Sequence, residues 1–163
     1  MPKLLNVIVA CTENRVIGRD GSVPWQIPED TRHFLAMTRG RICVLGHRSY
    51  ASWPGATRAG RQAVVVSRRL TARAPDVRVA PTVQAALEIA EGLPGEIFVC
   101  GGQRIYEETL TLPRPLRLYL TLVHAEVPGD TFFPEWRHLF WREAARRESS
   151  DADHRYVFLI LER

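Results

Sequence analysis

The sequence predicts a mixed α/β fold with a mainly parallel central sheet, an antiparallel C-terminal strand and about four flanking helices. Short continuous apolar runs such as "VIVA", "ICVLG", "AVVVS" and "IFVCGG" are typical of strands covered on both faces. Helical segments alternate with these runs, which favours parallel strands joined by crossover helices. Near the end of the chain, "FWREAARRE" and "HRYVFLILE" flank the turn "SSDAD". That pattern predicts a hairpin, so the last strand should be antiparallel.

Apolar periodicity, caps and turn residues set the boundaries of the elements. In chain order, strands are predicted at 3–11, 41–46, 62–67, 77–80, 96–100, 116–123, 139–147 and 154–162, and helices at 28–38, 47–53, 82–91 and 102–110. Pro28 suits the first position of its helix, because the N–H that it lacks would be unpaired there. Thr82 is expected to cap the third helix and Gly92 to end it.

A long segment without regular periodicity separates the first strand from the first helix. It reads "TENRVIGRDGSVPWQIP", residues 12–28. Long loops in compact domains are usually either functional lids or disordered segments. Ile17, Val23 and Trp25 argue against disorder, so we expect an ordered lid beside a pocket.

Length and composition are those of one globular domain spanning residues 1–163. Hydrophobic residues make up 45% and charged residues 25%, and no apolar run approaches the roughly 20 residues of a membrane span. The net charge is +4, but the arginines are spread along the chain, which does not favour a nucleic-acid partner. Cys11, Cys43 and Cys100 show no metal-binding spacing. Each lies in or at the end of an apolar run, which predicts buried reduced thiols and a cytoplasmic location.

Asp30 lies on what should be an apolar helix face. Together with Glu29 it occupies the first turn, where the helix dipole favours acidic side chains. However, Asp30, Phe34 and Met37 are spaced at i, i+4 and i+7, so they share one face. Phe34 and Met37 should point towards the core or a cleft. An acid on that face, next to a lid, predicts a pocket in which Asp30 has a chemical role.

Three apolar strands run into glycine or basic residues, in "RICVLGHRSYASW", "AVVVSRR" and "EIFVCGGQRIYEETL". In open α/β sheets, ligands bind beyond the carboxyl ends of the strands, and helix N-termini there suit phosphate. Gly101 and Gly102 would let the backbone approach a pyrophosphate closely. The sequence therefore predicts an anion-binding edge, although neither GxGxxG nor GxxxxGK[ST] is present. The side-chain donors expected there are His47, Arg48, Ser49, Ser67 and Arg68.

The chain as a whole resembles dihydrofolate reductase. "NRVIGRDGSVPWQIPED" resembles the mobile loop and acid-bearing helix start of that family, and "VLGHRSY" its G-R-x-T/S segment. "GRQAVVVSR" resembles the stretch from the folate-tail arginine to the cofactor-phosphate strand, and "CGGQRIYEETL" the G-G-x-x-[IVL]-Y motif. "LYLTLVHAEVPGDTFFP" resembles the family's strand and acidic loop near the C-terminus. The order and spacing of the segments match throughout.

The resemblance implies a dihydrofolate-reductase-like fold and an NADPH-dependent oxidoreductase. Its reaction would convert 7,8-dihydrofolate to 5,6,7,8-tetrahydrofolate by hydride transfer to C6 and protonation at N5, in support of one-carbon metabolism. Antifolates are the implied inhibitors. A monomer is the implied state, and neither a nucleic acid nor a membrane is an implied partner.

The resemblance also implies roles for individual residues at the substrate end. Asp30 should anchor the pterin with support from Thr121, and Trp25 should hold a water near Asp30. Arg61 should pair with the α-carboxylate of the glutamate tail of the substrate, and Tyr106 should face the nicotinamide site. The other substrate-binding residues implied are Ile8, Val9, Ala10, Thr31 and Phe34.

At the cofactor end, the resemblance implies that Ser67 and Arg68 hold the 2′-phosphate of NADPH. It also implies a cis peptide bond between Gly101 and Gly102. The remaining cofactor-binding residues implied are Ala10, Ile17, Gly18, Gly46, His47, Arg48, Ser49, Gln103, Arg104, Ile105 and Tyr106. His47 departs from a frequent arginine of the family, and Gln103 from a frequent third glycine.

Two other functions stay open from the sequence. A pteridine- or pyrimidine-type reductase could use the same fold, although Asp30 together with Arg61 favours folate. A basic domain that binds nucleotides without chemistry would also fit the charge of the chain. For that second alternative, an acid on an apolar face serves no purpose.

Overall fold

An eight-stranded sheet flanked by helices dominates the computed structural model, which describes residues 2–71 and 74–163. Within these residues the strands are Leu5–Thr12 (β1), Val16–Gly18 (β2), Ile42–Gly46 (β3), Gln62–Val66 (β4), Val77–Ala80 (β5), Ile97–Val99 (β6), Leu116–Val123 (β7), Thr131–Phe132 (β8), Arg142–Ser150 (β9) and Arg155–Glu162 (β10). The helices are Pro28–Thr38 (α1), His47–Ser52 (α2), Val83–Glu91 (α3) and Gln103–Leu110 (α4), with a short 3-10 helix at Pro54–Thr57. None of the described helices is long and apolar enough to cross a membrane.

The strand order in the large sheet is β5-β4-β3-β6-β1-β7-β10-β9. The first six strands in this order are parallel, whereas β10 is antiparallel to β7 and to β9. The predicted fold class and the C-terminal hairpin are therefore confirmed. The order reverses direction around β1, which places the chain's first strand at the centre of the sheet between β6 and β7.

Local sequence explains where the helices begin and end. Helix α1 starts at Pro28, as predicted. The side chain of Thr82 accepts a hydrogen bond from the backbone N–H of Ala85 at 3.1 Å, which caps α3, and Gly92 follows its last turn. All three boundary predictions are confirmed.

Two predictions about boundaries and thiols need correction. The strand predicted at 139–147 is observed at Arg142–Ser150, because Phe140 packs into the core before the strand begins. Cys11 and Cys43 are buried and free, as predicted, whereas Cys100 is free but only half-buried. The lid also contains a strand that was not predicted: β2 pairs with β8 in a separate two-stranded sheet. We call this pair, residues 16–18 and 131–132, the flap.

The core is divided between the two faces of the large sheet because successive strand residues point to opposite sides. In β3, Ile42 and Val44 join the main cluster with α3 and α4, while Cys43 and Leu45 join a second cluster on the other face. A third cluster, formed by Ile27, Val123, Tyr156 and Phe158, covers that second face near β10. Between the second and third clusters, β1 is not covered by apolar packing, and this gap becomes a cavity.

Candidate active site

The cavity has a volume of about 1370 Å³ and lies over the second face of β1. Ile8 and Ala10 of β1 form part of its floor, and Asp30 and Phe34 of α1 line one side. The flap and the ends of β3, β4 and β6 line the rest. Small-molecule pockets typically measure about 300–1,000 Å³, so this cavity is large enough for two ligands side by side.

Helix α1 presents Asp30, Thr31, His33 and Phe34 to the cavity. Thr38 is its only buried residue in the described structure, and Phe34 and Met37 are half-buried. Asp30 lies on the same wall as Phe34, so the helix face that carries this acid is the side of a cleft. Burial raises the pKa of Asp30 above its ordinary value of 3.8, and the Thr121 hydroxyl opposes that rise. The charge of Glu29 adds to it.

Three donors from the C-terminal hairpin hold Glu29, the residue before Asp30. Its carboxylate accepts hydrogen bonds from Ser149 Oγ at 2.5 Å, Tyr156 Oη at 2.7 Å and Arg147 Nη1 at 2.9 Å. These bonds lower the pKa of Glu29 from 4.5 to about 2, and the bond from Ser149 has the largest effect. The first turn of α1 is therefore tied to β9 and β10, and this fixes the backbone that carries Asp30.

Tyr106 joins the floor of the cavity to α4. Its hydroxyl donates a hydrogen bond to the backbone carbonyl of Ile8 at 2.7 Å, and its ring packs edge-on against Phe133 with 5.0 Å between centroids. Burial raises the pKa of Tyr106 well above its ordinary value, so it remains a neutral phenol. Tyr106 also packs closely against Gly101, since a Cβ atom added to Gly101 would lie 3.1 Å from the Tyr106 hydroxyl oxygen.

The opposite end of the cavity is lined by bare backbone. Gly46 ends β3, and Gly101 and Gly102 follow β6 and are joined by a cis peptide bond. Gly101 has φ 110°, a conformation that disfavours other residues. Gly102 precedes α4 and offers no side chain to cap it, so first-turn N–H groups of α4 are left for a ligand. Nearby, the Ser67 hydroxyl accepts hydrogen bonds from the backbone N–H groups of Arg69 and Leu70.

Arg61 is almost fully buried, with 4% of its surface exposed. Its Nε donates to Thr38 Oγ1 at 3.0 Å, and Nη2 donates to the Leu35 carbonyl at 2.7 Å. Nη1 donates to the carbonyls of Arg58 at 3.0 Å and Gly55 at 3.3 Å. Among the described residues no carboxylate pairs with Arg61, and one Nη2 hydrogen has no partner. A buried cation without an acidic partner is costly and favours an anion from outside the chain.

The structure brings the sequence-predicted site residues together around this cavity, with the exception of Arg61. Those that line it are Ile8, Val9, Ala10, Ile17, Gly18, Trp25, Asp30, Thr31, Phe34, Gly46, His47, Arg48, Ser49, Ser67, Arg68, Gly101, Gly102, Gln103, Arg104, Ile105, Tyr106 and Thr121. Arg61 lies behind α1 and the 3-10 helix. It packs on Trp53, with 5.3 Å from the guanidinium carbon to the ring centroid, and Trp53 in turn packs on Phe34.

Several cavity residues were missed by sequence reasoning. His33 lines the cavity one turn after Asp30, and its i+3 spacing was a signal that could have found it. Cys100 follows a strand whose end was already assigned to the site, so its position was also accessible from the pattern. Thr131 begins β8 and Asp130 precedes it, and no local pattern indicated the pairing of β8 with β2.

The fold and the cavity together define an α/β protein with a nucleotide-sized, glycine-lined cleft next to a carboxylate. Comparison with known proteins agrees. The model of the dihydrofolate reductase family matches residues 4–163. A type 3 dihydrofolate reductase of Salmonella typhimurium is 42% identical over 88% of this chain and 86% of the relative. Dihydrofolate reductases of Neisseria meningitidis and Staphylococcus haemolyticus are 36% and 31% identical over 95% and 98% of this chain, and both alignments cover 95% of the relative. The chain belongs to the dihydrofolate reductase family, a family of oxidoreductases that use a nucleotide cofactor.

Proposed function

We propose that the chain uses NADPH to reduce 7,8-dihydrofolate to 5,6,7,8-tetrahydrofolate, with hydride transfer to C6 and protonation at N5. The observation that carries the proposal is the position of Asp30. It lies on the apolar wall of a cavity whose other end is lined by glycine backbone and a helix N-terminus. A carboxylate there would suit a pterin, and the glycine end would suit a pyrophosphate.

The residues at the glycine end fit a phosphorylated nucleotide. Gly46, Gly101 and Gly102 line this end of the cavity, and no side chain caps the first turn of α4. Ser67 and the exposed Arg68 follow β4 at the same edge and would bind a 2′-phosphate. His47, Arg48 and Ser49 at the start of α2, with Gln103, Arg104 and Ile105, would surround the pyrophosphate. When bound, the dihydronicotinamide ring of NADPH supplies the hydride.

At the other end, Asp30 would bind the 2-amino group and N3 of the pterin, and Thr121 would orient the carboxylate. Ile8, Val9, Ala10, Thr31 and Phe34 would enclose the ring. Because Asp30 is half-buried in the cavity wall, its negative charge acts in a medium of lower dielectric than water and favours protonation of a nearby weak base. N5 is such a base. Trp25 would hold a water near Asp30 from which a proton reaches N5, and Tyr106 would keep the nicotinamide side of the floor in place.

The glutamate tail of dihydrofolate gives the buried cation Arg61 an anionic partner. Its planar guanidinium suits a carboxylate better than a point charge does. This pairing favours folate over a pterin without a tail.

The test is a spectrophotometric assay that follows oxidation of NADPH on addition of dihydrofolate. Asp30→Asn keeps the shape of the side chain but removes its charge, so turnover near pH 7 should fall by a factor on the order of 10²–10⁴. Turnover of this variant should keep rising at low pH, where solvent protonates N5. The matched control is Asp153→Asn, an exposed aspartate in the turn between β9 and β10.

Two results would count against these assignments. A wild-type chain that oxidises NADPH at the same slow rate with and without dihydrofolate would remove the proposed reaction. A pH profile of Asp30→Asn that is the wild-type profile scaled down would leave Asp30 as a binding residue without a part in protonation.

The remaining parts of the proposal concern domain organisation, oligomeric state, location and inhibitors. We propose one domain spanning residues 1–163 that acts as a monomer in the cytoplasm. Antifolates would be its inhibitors, and tetrahydrofolate would feed one-carbon metabolism. Sedimentation and inhibitor titration would test these points.

A further inference from the structure

Gln103, the first residue of α4, is hydrogen bonded to the flap. Its Oε1 accepts a hydrogen bond from the backbone N–H of Phe132 at 2.8 Å. Phe132 belongs to β8, which pairs with β2 through Val16. The contact therefore joins the start of the helix at the glycine end of the cavity to the two strands that overhang it.

The flap is small enough for one such bond to matter. It consists of three residues of β2 and two of β8, and its register is irregular between Val16 and Gly18. Backbone hydrogen bonds extend this pairing on both sides, from the Phe133 N–H to the Arg15 carbonyl at 2.8 Å and from the Asp130 N–H to the Gly18 carbonyl at 3.1 Å. The flap is therefore a short ladder, to which Gln103 adds one side-chain hydrogen bond. Ile17, Gly18 and Thr131 of the flap all line the cavity, so its order affects the shape of the site.

The amide of Gln103 has a second end. Because Oε1 is engaged by Phe132, the orientation of the group is set, and Nε2 is left with two hydrogens. Among the described residues Nε2 has no hydrogen-bond partner, and Gln103 itself lines the cavity. It lies at the helix N-terminus, where an anionic oxygen would be held.

We propose that Gln103 is a positioning residue that couples binding of the cofactor phosphates to order in the flap. One end of its amide holds β8, and the other end donates to a phosphate oxygen. A ligand that fixes the amide then stabilises the flap, and by linkage an ordered flap strengthens binding of that ligand. The inference rests on the proposed function, since it takes the ligand of the glycine end to be NADPH. A glycine at this position could serve neither purpose.

Two variants separate the two ends of the amide. Gln103→Met keeps the length of the side chain but removes both hydrogen bonds. Gln103→Glu keeps an acceptor for the N–H of Phe132 but removes the donor and adds a negative charge beside the phosphates. Gln84→Met is the matched control, because Gln84 is an exposed residue of α3 remote from the flap.

The first measurement is amide hydrogen exchange at Phe132 in the ligand-free chain. Exchange in Gln103→Met should be about five-fold faster than in wild type, the effect of one ordinary hydrogen bond. Exchange in Gln103→Glu and Gln84→Met should stay within about two-fold of wild type. Equal exchange in wild type and Gln103→Met would overturn the structural half of the proposal.

The second measurement is NADPH affinity by fluorescence titration, together with exchange at Phe132 in the complex. NADPH should slow exchange in wild type but not in either Gln103 variant, and both variants should bind NADPH at least about five-fold more weakly. If NADPH protects Phe132 as well in Gln103→Met as in wild type, the coupling is wrong. If wild type binds no NADPH, the proposed function fails with the coupling, while the ligand-free exchange still decides the Gln103–Phe132 bond.

Discussion

Replacing Glu29 by glutamine should destabilise the chain in a pH-dependent way. Glu29 accepts hydrogen bonds from Ser149, Tyr156 and Arg147, and these bonds hold the first turn of α1 against β9 and β10. Glutamine keeps the size of the side chain but removes the charge that makes these bonds strong. The change therefore tests the charge of Glu29 and not its volume.

The magnitude follows from the pKa of Glu29. A pKa lowered from 4.5 to about 2 corresponds to roughly 3 kcal/mol in favour of the charged form in the folded state. The side chain of Glu29 is 30% exposed, and solvent screening reduces this to about 1–2 kcal/mol. For a chain of this size the loss corresponds to a fall in Tm of about 2–8 °C at pH 7.

The pH dependence has a definite sign. Because the folded pKa of Glu29 is lowered, the stabilisation is complete above pH 4.5 and is lost as the pH falls towards 2. The Tm difference between wild type and Glu29→Gln should therefore be constant from about pH 6 to 8 and fall to less than about half by pH 3.

Thermal unfolding followed by circular dichroism at pH 7, 5 and 3 measures both quantities. Glu126→Gln is the control, because Glu126 is exposed and its side chain makes no hydrogen bond within the described residues. Its Tm should match that of wild type to about 1–2 °C. A Tm of Glu29→Gln equal to that of wild type at pH 7, or a difference that is as large at pH 3, would refute the reasoning.

Three further predictions concern the cavity. Arg68→Ala should raise the KM for NADPH by about ten-fold and leave the KM for NADH nearly unchanged. Ten-fold is the low end of the effect of a charged hydrogen bond, because Arg68 is exposed to solvent. Equal rises in KM for both cofactors in steady-state assays would remove Arg68 from the 2′-phosphate site. Arg61→Lys should weaken binding of dihydrofolate, measured by titration, because lysine cannot copy the planar fork. A pterin without the glutamate should bind this variant and wild type alike, and parallel loss of both ligands would make Arg61 purely structural. Asp30→Asn should have a higher ligand-free Tm than wild type at pH 7. The reason is that wild type loses stability as the pH rises from 3.8 through the raised pKa of Asp30. A Tm difference that does not shrink below about pH 4 would show that the ionisation of Asp30 is not its cause.

The pattern of the sequence determined the large sheet and predicted most of the residues that line the cavity. Apolar runs bounded by glycine and proline are local signals, so the strands, Pro28 at the start of α1 and the Thr82 cap could be predicted without tertiary information. The position of Asp30 on an apolar face was visible for the same reason, because helix periodicity depends only on spacing. The resemblance to a family then implied the ligands, which periodicity alone does not specify.

Only the tertiary structure decided contacts between residues far apart in the chain. The pairing of β2 with β8 joins residues more than a hundred positions apart through very short strands, which leave no detectable local pattern. The partners of Glu29 come from the last hairpin, and Arg61 donates to the Thr38 hydroxyl and to backbone carbonyls of α1 and of the segment that follows α1. Local periodicity reports which way a side chain faces, whereas its partner depends on how distant segments pack. For that reason the sequence predicted Asp30 and Gln103 as site residues, but only the structure shows what they are tied to. The last hairpin fixes the turn that carries Asp30 through hydrogen bonds to Glu29, and Gln103 accepts a hydrogen bond from β8 of the flap.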